Sequence, residues 1–419
     1  MQLNTNFFLG NLGISNAVDT LNLPRHRWYY YKEGFSPNLV EKAIEFSKIK
    51  SNDIILDPFN GSGTTTLTSS LKGYKSIGIE VNPFTSFLSQ SKINNVDITE
   101  FNKKRDWILG KAYQGKESAL KGFSTFSKTE NINKWLFNDS VLDTFAGGWS
   151  ASKEIMSSDL KQVIQLALIV SAMQNCNATR DGKCLRYRNN WQNNIYNKET
   201  FLSSLQANLS LMIEDVEQYP ITEQPMILTG DARTILLNND IEKFKLCVTS
   251  PPYLNTFDYT DIYRPELFLG QFVKNRDELY NLRLRTIRSH IQAKWKNPSF
   301  SNFGELYKNS MEHILQHESE LMHKRIPVMV QAYFEDMLNI LKQLRNKAEK
   351  NAQLWMVVSN SAYANKEIPV DLIIAEMANL ANWKLKEVGV LRDIKRRKTK
   401  HSPNINTLRE SVIILRAGR

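Results

Sequence analysis

Short apolar runs of strand type alternate along this chain with longer stretches in which apolar positions recur at helical spacing. Ser36 to Lys48 (SPNLVEKAIEFSK) has a Ser cap, a Pro at the first helical position and an apolar helical stripe, which predicts a helix. Asp53 to Leu56 (DIIL) reads as a short strand, a glycine-rich turn follows it, and Thr64 to Leu71 starts a helix. Lys75 to Ile79 (KSIGI) reads as a second strand, ending at Glu80. Strand, loop, helix and strand in this order open a parallel α/β sheet. Strand-type sequence resumes at Met226–Leu228, Lys245–Val248, Leu354–Val358, Trp383–Leu391 and Ser411–Leu415, with a helix over 370–381.

Two long, mainly helical stretches interrupt this pattern and exceed any ordinary connection between sheet elements. The expected division is a catalytic domain made of 1–95, 226–262 and 346–419. A helical insertion over 96–225, with Leu160 to Met173 its most apolar piece, is the candidate target-recognition region. A second helical insertion over 263–345 is a further candidate contact region. The fold class expected is α/β, a Rossmann-like sheet with two mainly helical insertions.

Composition narrows the setting. The chain has 419 residues, 42% hydrophobic and 23% charged, enough for a large core and unlike a disordered tail. Lys and Arg number 54 against 43 Asp and Glu, a net charge of +11 that suits a polyanion, a merely basic surface being the plain alternative. Three cysteines make no disulfide framework and point to a reducing cytoplasm. The cysteines lack zinc-finger spacing. His313 and His317, the one close histidine pair, enclose no catalytic Glu, so no metal is expected. Met1 to Gly13 does not read as a signal peptide, and no apolar run is long enough to span a bilayer.

The glycine-rich turn is Asp57-Pro58-Phe59-Asn60-Gly61-Ser62-Gly63-Thr64-Thr65. Gly61 and Gly63 let the backbone turn tightly and approach a ligand. The helix that follows presents free N–H groups and a positive dipole end. Glu80 stands at the end of the next strand, roughly 20 residues on, where nucleotide-binding α/β folds place an acid for ribose hydroxyls. No Gly-Lys-Ser/Thr follows, so this is not a P-loop, and the three-glycine dinucleotide fingerprint is missing. An acid at Asp57 repels a pyrophosphate and attracts a cationic group such as a methionine amine. That favours S-adenosylmethionine over ATP or NAD.

Thr249-Ser250-Pro251-Pro252-Tyr253 follows the apolar run Lys245–Val248. Two prolines cannot continue a central strand and stiffen a loop at its carboxyl end, where open α/β sheets bind ligands. Ser250 and backbone carbonyls offer acceptors for an amino group, and Tyr253 offers a face for stacking. Together they suit a nucleobase extruded from a helix; a proline-rich turn with Tyr253 as a packing residue is the bland alternative.

These two motifs resemble those of the amino-group DNA methyltransferases of restriction–modification systems. Asp57 to Thr65, with Phe59, Gly61, Gly63 and Thr64, resembles their cofactor motif, and Ser250, Pro251, Pro252 and Tyr253 resemble their catalytic tetrapeptide. Glu80 matches the ribose-binding acid, and Asp231 resembles the acid that contacts the cofactor adenine. Arg27-Trp28-Tyr29 to Phe35-Ser36-Pro37 is similar to the segment that covers the methionine end. The resemblance implies a seven-stranded methyltransferase sheet, S-adenosylmethionine as cofactor, base flipping, and double-stranded DNA as substrate. It also implies a cognate restriction endonuclease as a partner. A monomer is expected, since one chain can methylate one strand. A leading Ser leans toward cytosine N4 and a leading Asp or Asn toward adenine N6. C5 methylation is disfavoured, because it needs a Cys nucleophile and Cys247 lies within an apolar strand.

The sheet signals run almost to the C-terminus, so the recognition region is expected in the insertions. Arg180, Lys183, Arg186 and Arg188 in the first, with aromatics between them, and Arg285 and Arg288 in the second are the expected DNA contacts. Lys395 to Lys400 is a further candidate for phosphate. An RNA guanine-N2 methyltransferase is the alternative enzyme. Those enzymes usually carry an RNA-binding domain ahead of the cofactor motif, and little chain precedes Asp57 here.

Overall fold

The computed structural model describes residues 3–5, 15–182, 184–193, 195–396 and 401–418. Seven strands form one sheet: β1 Ile55–Asp57, β2 Ser76–Glu80, β3 Met226–Thr229, β4 Phe244–Thr249, β5 Ala348–Ser359, β6 Trp383–Lys395 and β7 Thr407–Ala417. Their spatial order is β3-β2-β1-β4-β5-β7-β6, parallel except for β7, which is antiparallel to both its neighbours. This is the Rossmann-like methyltransferase sheet that the sequence predicts.

Side-chain alternation splits the core between the two sheet faces. Ile55, Leu246, Val248, Trp355 and Val357 point to one face, where α1 (Pro37–Ser47) covers them with Leu39, Val40, Ala43 and Ile44. Leu56, Cys247, Leu354, Met356 and Val358 point to the other, under the helices Ile326–Lys347 and Val370–Met377. Cys247 is fully buried there, a small core residue. Ser36 begins α1 by accepting a hydrogen bond from the Asn38 N–H at 3.1 Å. Two further helices, α2 (Thr64–Leu71) and α3 (Pro83–Ile93), follow β1 and β2.

The first insertion builds a bundle of α4 (Ile98–Gln114), α5 (Asp139–Ser152), α6 (Ser158–Gln174) and α7 (Lys198–Gln218). Almost every apolar side chain of α6 is buried, as its all-round hydrophobicity demands. Helices α4 and α5 meet at Gly147, where a Cβ would lie 2.7 Å from the Lys111 carbonyl oxygen. The basic, aromatic stretch between α6 and α7 is a hairpin, Ala178–Asp181 paired with Cys184–Tyr187. The bundle is not a separate lobe. Its core is continuous with Trp28 and Tyr29, with Phe84 and Phe87 of α3, and with 257–282.

Residues 263–345 divide between two cores. Leu267 to Leu282 pack into the helical core, while Phe303 to Leu344 pack against the sheet. The helix Ile326–Lys347 is therefore a sheet-covering crossover into β5 rather than part of an appended unit.

One buried carboxylate ties the N-terminal segment to the bundle. Asp215 on α7 is fully buried and accepts from the Arg25 N–H at 2.7 Å, the Trp28 indole at 2.8 Å and the Arg27 guanidinium at 2.7 Å. Residues 25–35 thereby lie across the sheet's carboxyl end.

Candidate active site

The strand order reverses between β1 and β4: the chain moves outward from β1 to β2 on one side and from β4 to β5 on the other. Loops leaving neighbouring strands at such a reversal part in opposite directions and leave a crevice. The glycine loop after β1 and the double-proline loop after β4 both open into that crevice. It encloses about 1210 Å³ including its open mouth, and Phe59, Gly61, Thr64, Glu80, Asp231 and Ser250–Tyr253 line it.

Gly61 (φ +51°) and Gly63 (φ +84°) are left-handed, a conformation that favours glycine. A Cβ on Gly63 would meet the Ser89 Cβ at 2.8 Å, so α2 can start here only without one. Glu80 is nearly buried and accepts from the Gly61 N–H at 2.7 Å and the Asn82 N–H at 2.8 Å. Burial raises its pKa and these donors oppose the rise. A carboxylate oxygen can accept from more than one donor, so Glu80 can still receive a ribose hydroxyl. Asp231 caps a short helix, accepts from the Arg233 N–H at 2.9 Å and pairs with the Arg233 side chain at 2.7 Å.

Asp57 stands beneath the floor of the crevice rather than in its lining. It is 1% exposed, and one carboxylate oxygen accepts from the Phe59 N–H at 3.0 Å and the Thr249 hydroxyl at 2.6 Å. The attraction of a ligand cation predicted for Asp57 is thus replaced by a structural role: it ties the tip of β1 to the tip of β4. Burial pushes its pKa from 3.8 up to about 6. Between these values the folded chain holds a proton that the unfolded chain has lost, so stability falls as pH rises through that window. Asp57→Asn retains an acceptor for both donors. It is expected to gain on the order of 2–3 kcal/mol relative to wild type between pH 4 and pH 7. Urea midpoints of both proteins at the two pH values, without cofactor, check this; parallel midpoints would contradict it.

The double-proline loop is held by the neighbouring strands of the sheet. The Ser250 hydroxyl donates to the Val357 carbonyl of β5 at 3.2 Å, which leaves its lone pairs as acceptors. The Tyr253 hydroxyl donates to Glu410 of β7 at 2.9 Å, and the Arg392 guanidinium of β6 holds the other Glu410 oxygen at 2.7 Å. Glu410 is 2% exposed. Burial and Glu410 push the Tyr253 phenol well above its ordinary pKa, so it remains neutral.

The crevice also gathers Tyr31, Glu33, Asn255, Phe257, Tyr259 and Thr260, none of which the motifs single out. Three consecutive tyrosines at 29–31 and the run Asn255–Tyr259 just after the tetrapeptide were the available signals. Among the described residues no cluster of three or more His, Cys, Asp or Glu is placed to hold a metal.

The expected DNA contacts separate. Arg285 is exposed and lines the crevice, and Arg186 is exposed on the hairpin, paired with Asp181 at 2.6 Å. Arg188 is half-buried, donating to the Cys176 carbonyl at 2.9 Å. Arg180 and Arg288 correct the expectation. Arg180 bonds Glu266 and lies 4.5 Å over the Tyr263 ring, while Arg288 is 9% exposed and pairs with Glu335 at 2.7 Å and Asp336 at 2.8 Å. Their charges are neutralised inside the protein. Lys183 and residues 397–400 of the basic run lie outside the described residues.

A family model described as DNA methylase matches residues 11–90, the span that carries the covering segment, glycine loop and Glu80. The chain is 27% identical over 418 residues to the Type II methyltransferase M.BsoBI of Geobacillus stearothermophilus, covering 88% of this chain and 81% of that one. The chain is similar, over most of its length, to Type II DNA methyltransferases of the N4/N6 amino-methyltransferase family. A second relative, the Type II methyltransferase M.AvaI of Nostoc, is 24% identical over 409 residues, with the same coverage of 88% and 81%. A tRNA (guanine(10)-N2)-dimethyltransferase of Methanocaldococcus jannaschii matches at 29% identity, but over only 27% of this chain and 29% of its own.

The cofactor is S-adenosylmethionine, and the crevice fits it. The glycine turn admits close approach, Glu80 has acceptor capacity for hydroxyls, and Phe59 and Phe35 supply apolar wall. None of the described helices is long and apolar enough to cross a membrane.

Proposed function

We propose that this protein methylates the exocyclic N4 of cytosine in double-stranded DNA, as the modification enzyme of a restriction–modification system. The observation that carries the reading is the placement of Ser250. Its donor is committed to Val357, so it presents only acceptors to the crevice, beside the glycine loop. An acceptor-only wall suits an exocyclic amine, whose protons it holds while the nitrogen lone pair is aimed at the incoming methyl. S-adenosylmethionine supplies an already activated methyl group. The chain's task is then to stack the flipped base on Tyr253, orient its amine with Ser250 and the loop carbonyls, and exclude water. Glu80 would hold the ribose, Asp231 the adenine end, and the Gly61–Thr64 turn the remainder of the cofactor.

DNA rather than RNA is favoured because the likeness to Type II methyltransferases runs through both insertions, while the tRNA enzyme matches only a fragment. The insertions are the proposed target readers, with Arg186 on the hairpin and Arg285 at the crevice mouth meeting phosphates. A cognate endonuclease as partner and a monomeric enzyme belong to the same proposal. Digestion of methylated duplex DNA to nucleosides, followed by mass spectrometry, tests the base. N4-methylcytosine is expected; N6-methyladenine would transfer the same geometry to adenine, and no product on DNA with product on tRNA would overturn it.

Arg186→Ala and Arg285→Ala are each expected to weaken duplex binding. Each should also flatten the plot of log affinity against log salt by about 0.9, the release of one phosphate counterion. Cofactor affinity should not change. Arg180→Ala should instead lower the unfolding midpoint, because Glu266 would be left buried without its cation.

A further inference from the structure

The displacement of Asp57 from the crevice lining leaves a question of charge. S-adenosylmethionine carries an ammonium and a sulfonium, and a closed crevice must answer them. Three carboxylates line the crevice: Glu33, Glu80 and Asp231. Asp231 is neutralised by Arg233, and Glu80 is engaged by two backbone N–H groups at the turn. Glu33 differs. Among the described residues no basic group lies within ion-pair distance of it, and its one side-chain donor is the Tyr263 hydroxyl.

The surroundings of Glu33 are those of a cation receptor. Tyr31 and Tyr263 stack with ring centroids 5.2 Å apart, and Tyr31 and Tyr259 line the crevice with Glu33. Aromatic faces beside a carboxylate attract ammonium groups through the ring quadrupole. Burial first, and the Glu33 charge second, push the Tyr31 and Tyr263 phenols well above their ordinary pKa, so these rings remain neutral. Arg180 is within electrostatic reach of Glu33, but its guanidinium is already bound to Glu266. The receptor also stands where a methionine tail would end. A Cβ on Gly61 would lie 3.2 Å from the Tyr31 ring, so Tyr31 closes directly over the glycine turn.

We propose that Glu33, backed by Tyr31 and Tyr259, receives the ammonium group of the cofactor's methionine moiety. The inference rests on S-adenosylmethionine as the cofactor. It makes Glu33 a binding residue on the segment that Asp215 pins down, so the ammonium draws that segment over the site.

The test is a cycle of calorimetric titrations on the whole protein. The ligands are S-adenosylhomocysteine and its deaminated analogue, which keeps the carboxylate and lacks only the ammonium. Wild type should bind the analogue about 10- to 100-fold more weakly. Glu33→Gln, whose amide oxygen can still accept from Tyr263, should bind both ligands with similar affinity. Glu33→Asp keeps the charge one methylene further back and should discriminate to an intermediate degree. It serves as the second variant if the first does not fold. Discrimination in either variant as strong as in wild type would overturn the proposal, as would its absence in wild type. Failure of wild type to bind S-adenosylhomocysteine at all would remove the cofactor reading itself, an outcome distinct from the others.

Discussion

Ser250→Ala and Tyr253→Ala are each expected to lower kcat by about 100- to 1000-fold while the dissociation constant of S-adenosylhomocysteine stays within about twofold. The split follows from position. Both side chains belong to the loop after β4, across the crevice from the glycine turn, Glu80 and Asp231. Ser250 is held as an acceptor by its bond to Val357, and Tyr253 is fixed from behind by Glu410 and Arg392. Removing either frees the base amine or the base ring and leaves the proposed cofactor cradle intact. Tyr253→Phe keeps the ring and loses only the tie to Glu410, so a smaller fall of about tenfold is expected. Single-turnover methylation and calorimetry measured on the same preparations check the split. Loss of cofactor affinity in step with loss of turnover would count against a role in holding the base.

Asp215→Ala is expected to destabilise the protein by about 3–5 kcal/mol, the largest stability loss predicted for a single side chain here. Asp215 is fully buried, and its carboxylate accepts from the Arg25 backbone, the Arg27 guanidinium and the Trp28 indole. Alanine leaves the buried Arg25 N–H and the Trp28 indole without their acceptor and leaves Arg27 only the more distant Glu214. The N-terminal segment would lose its anchor to α7, and the crevice would lose the wall that carries Tyr31 and Glu33. Urea unfolding measures the first effect and cofactor titration the second. A midpoint within about 1 kcal/mol of wild type would show that the segment is held by other contacts.

The sheet was legible because its central strands are short apolar runs buried on both faces. Ile55–Leu56, Ile77–Ile79 and Leu246–Val248 stand out against any polar neighbour. Strand ends were not legible. The sequence predicts β6 only to Leu391, yet it continues to Lys395, because backbone pairing with β7 extends past the last buried side chain. The hairpin at 178–187 was hidden for a related reason: its residues are mostly polar and half-exposed, so no periodicity announces two strands.

The two motifs were legible as chemistry because each requires residues that nothing else supplies: glycines with positive φ, and two prolines that end a central strand. What each charged residue does was decided elsewhere. Asp57 and Glu33 are both acids near the cofactor turn. Burial and the Thr249 hydroxyl make one a strut, while the other lines the crevice and, among the described residues, has no basic group within ion-pair distance. Arg180 and Arg285 are both arginines in basic runs, yet one is spent on Glu266 and the other stands at the crevice mouth. Local sequence determined this protein's strands, its turns and the class of its reaction, since backbone conformation and side-chain chemistry are properties of neighbours along the chain. Only the tertiary structure decided which charges are already neutralised and which remain to meet a ligand. A charge's partner is chosen by distance in space, and here Tyr263 meets Glu33 across 230 residues of sequence.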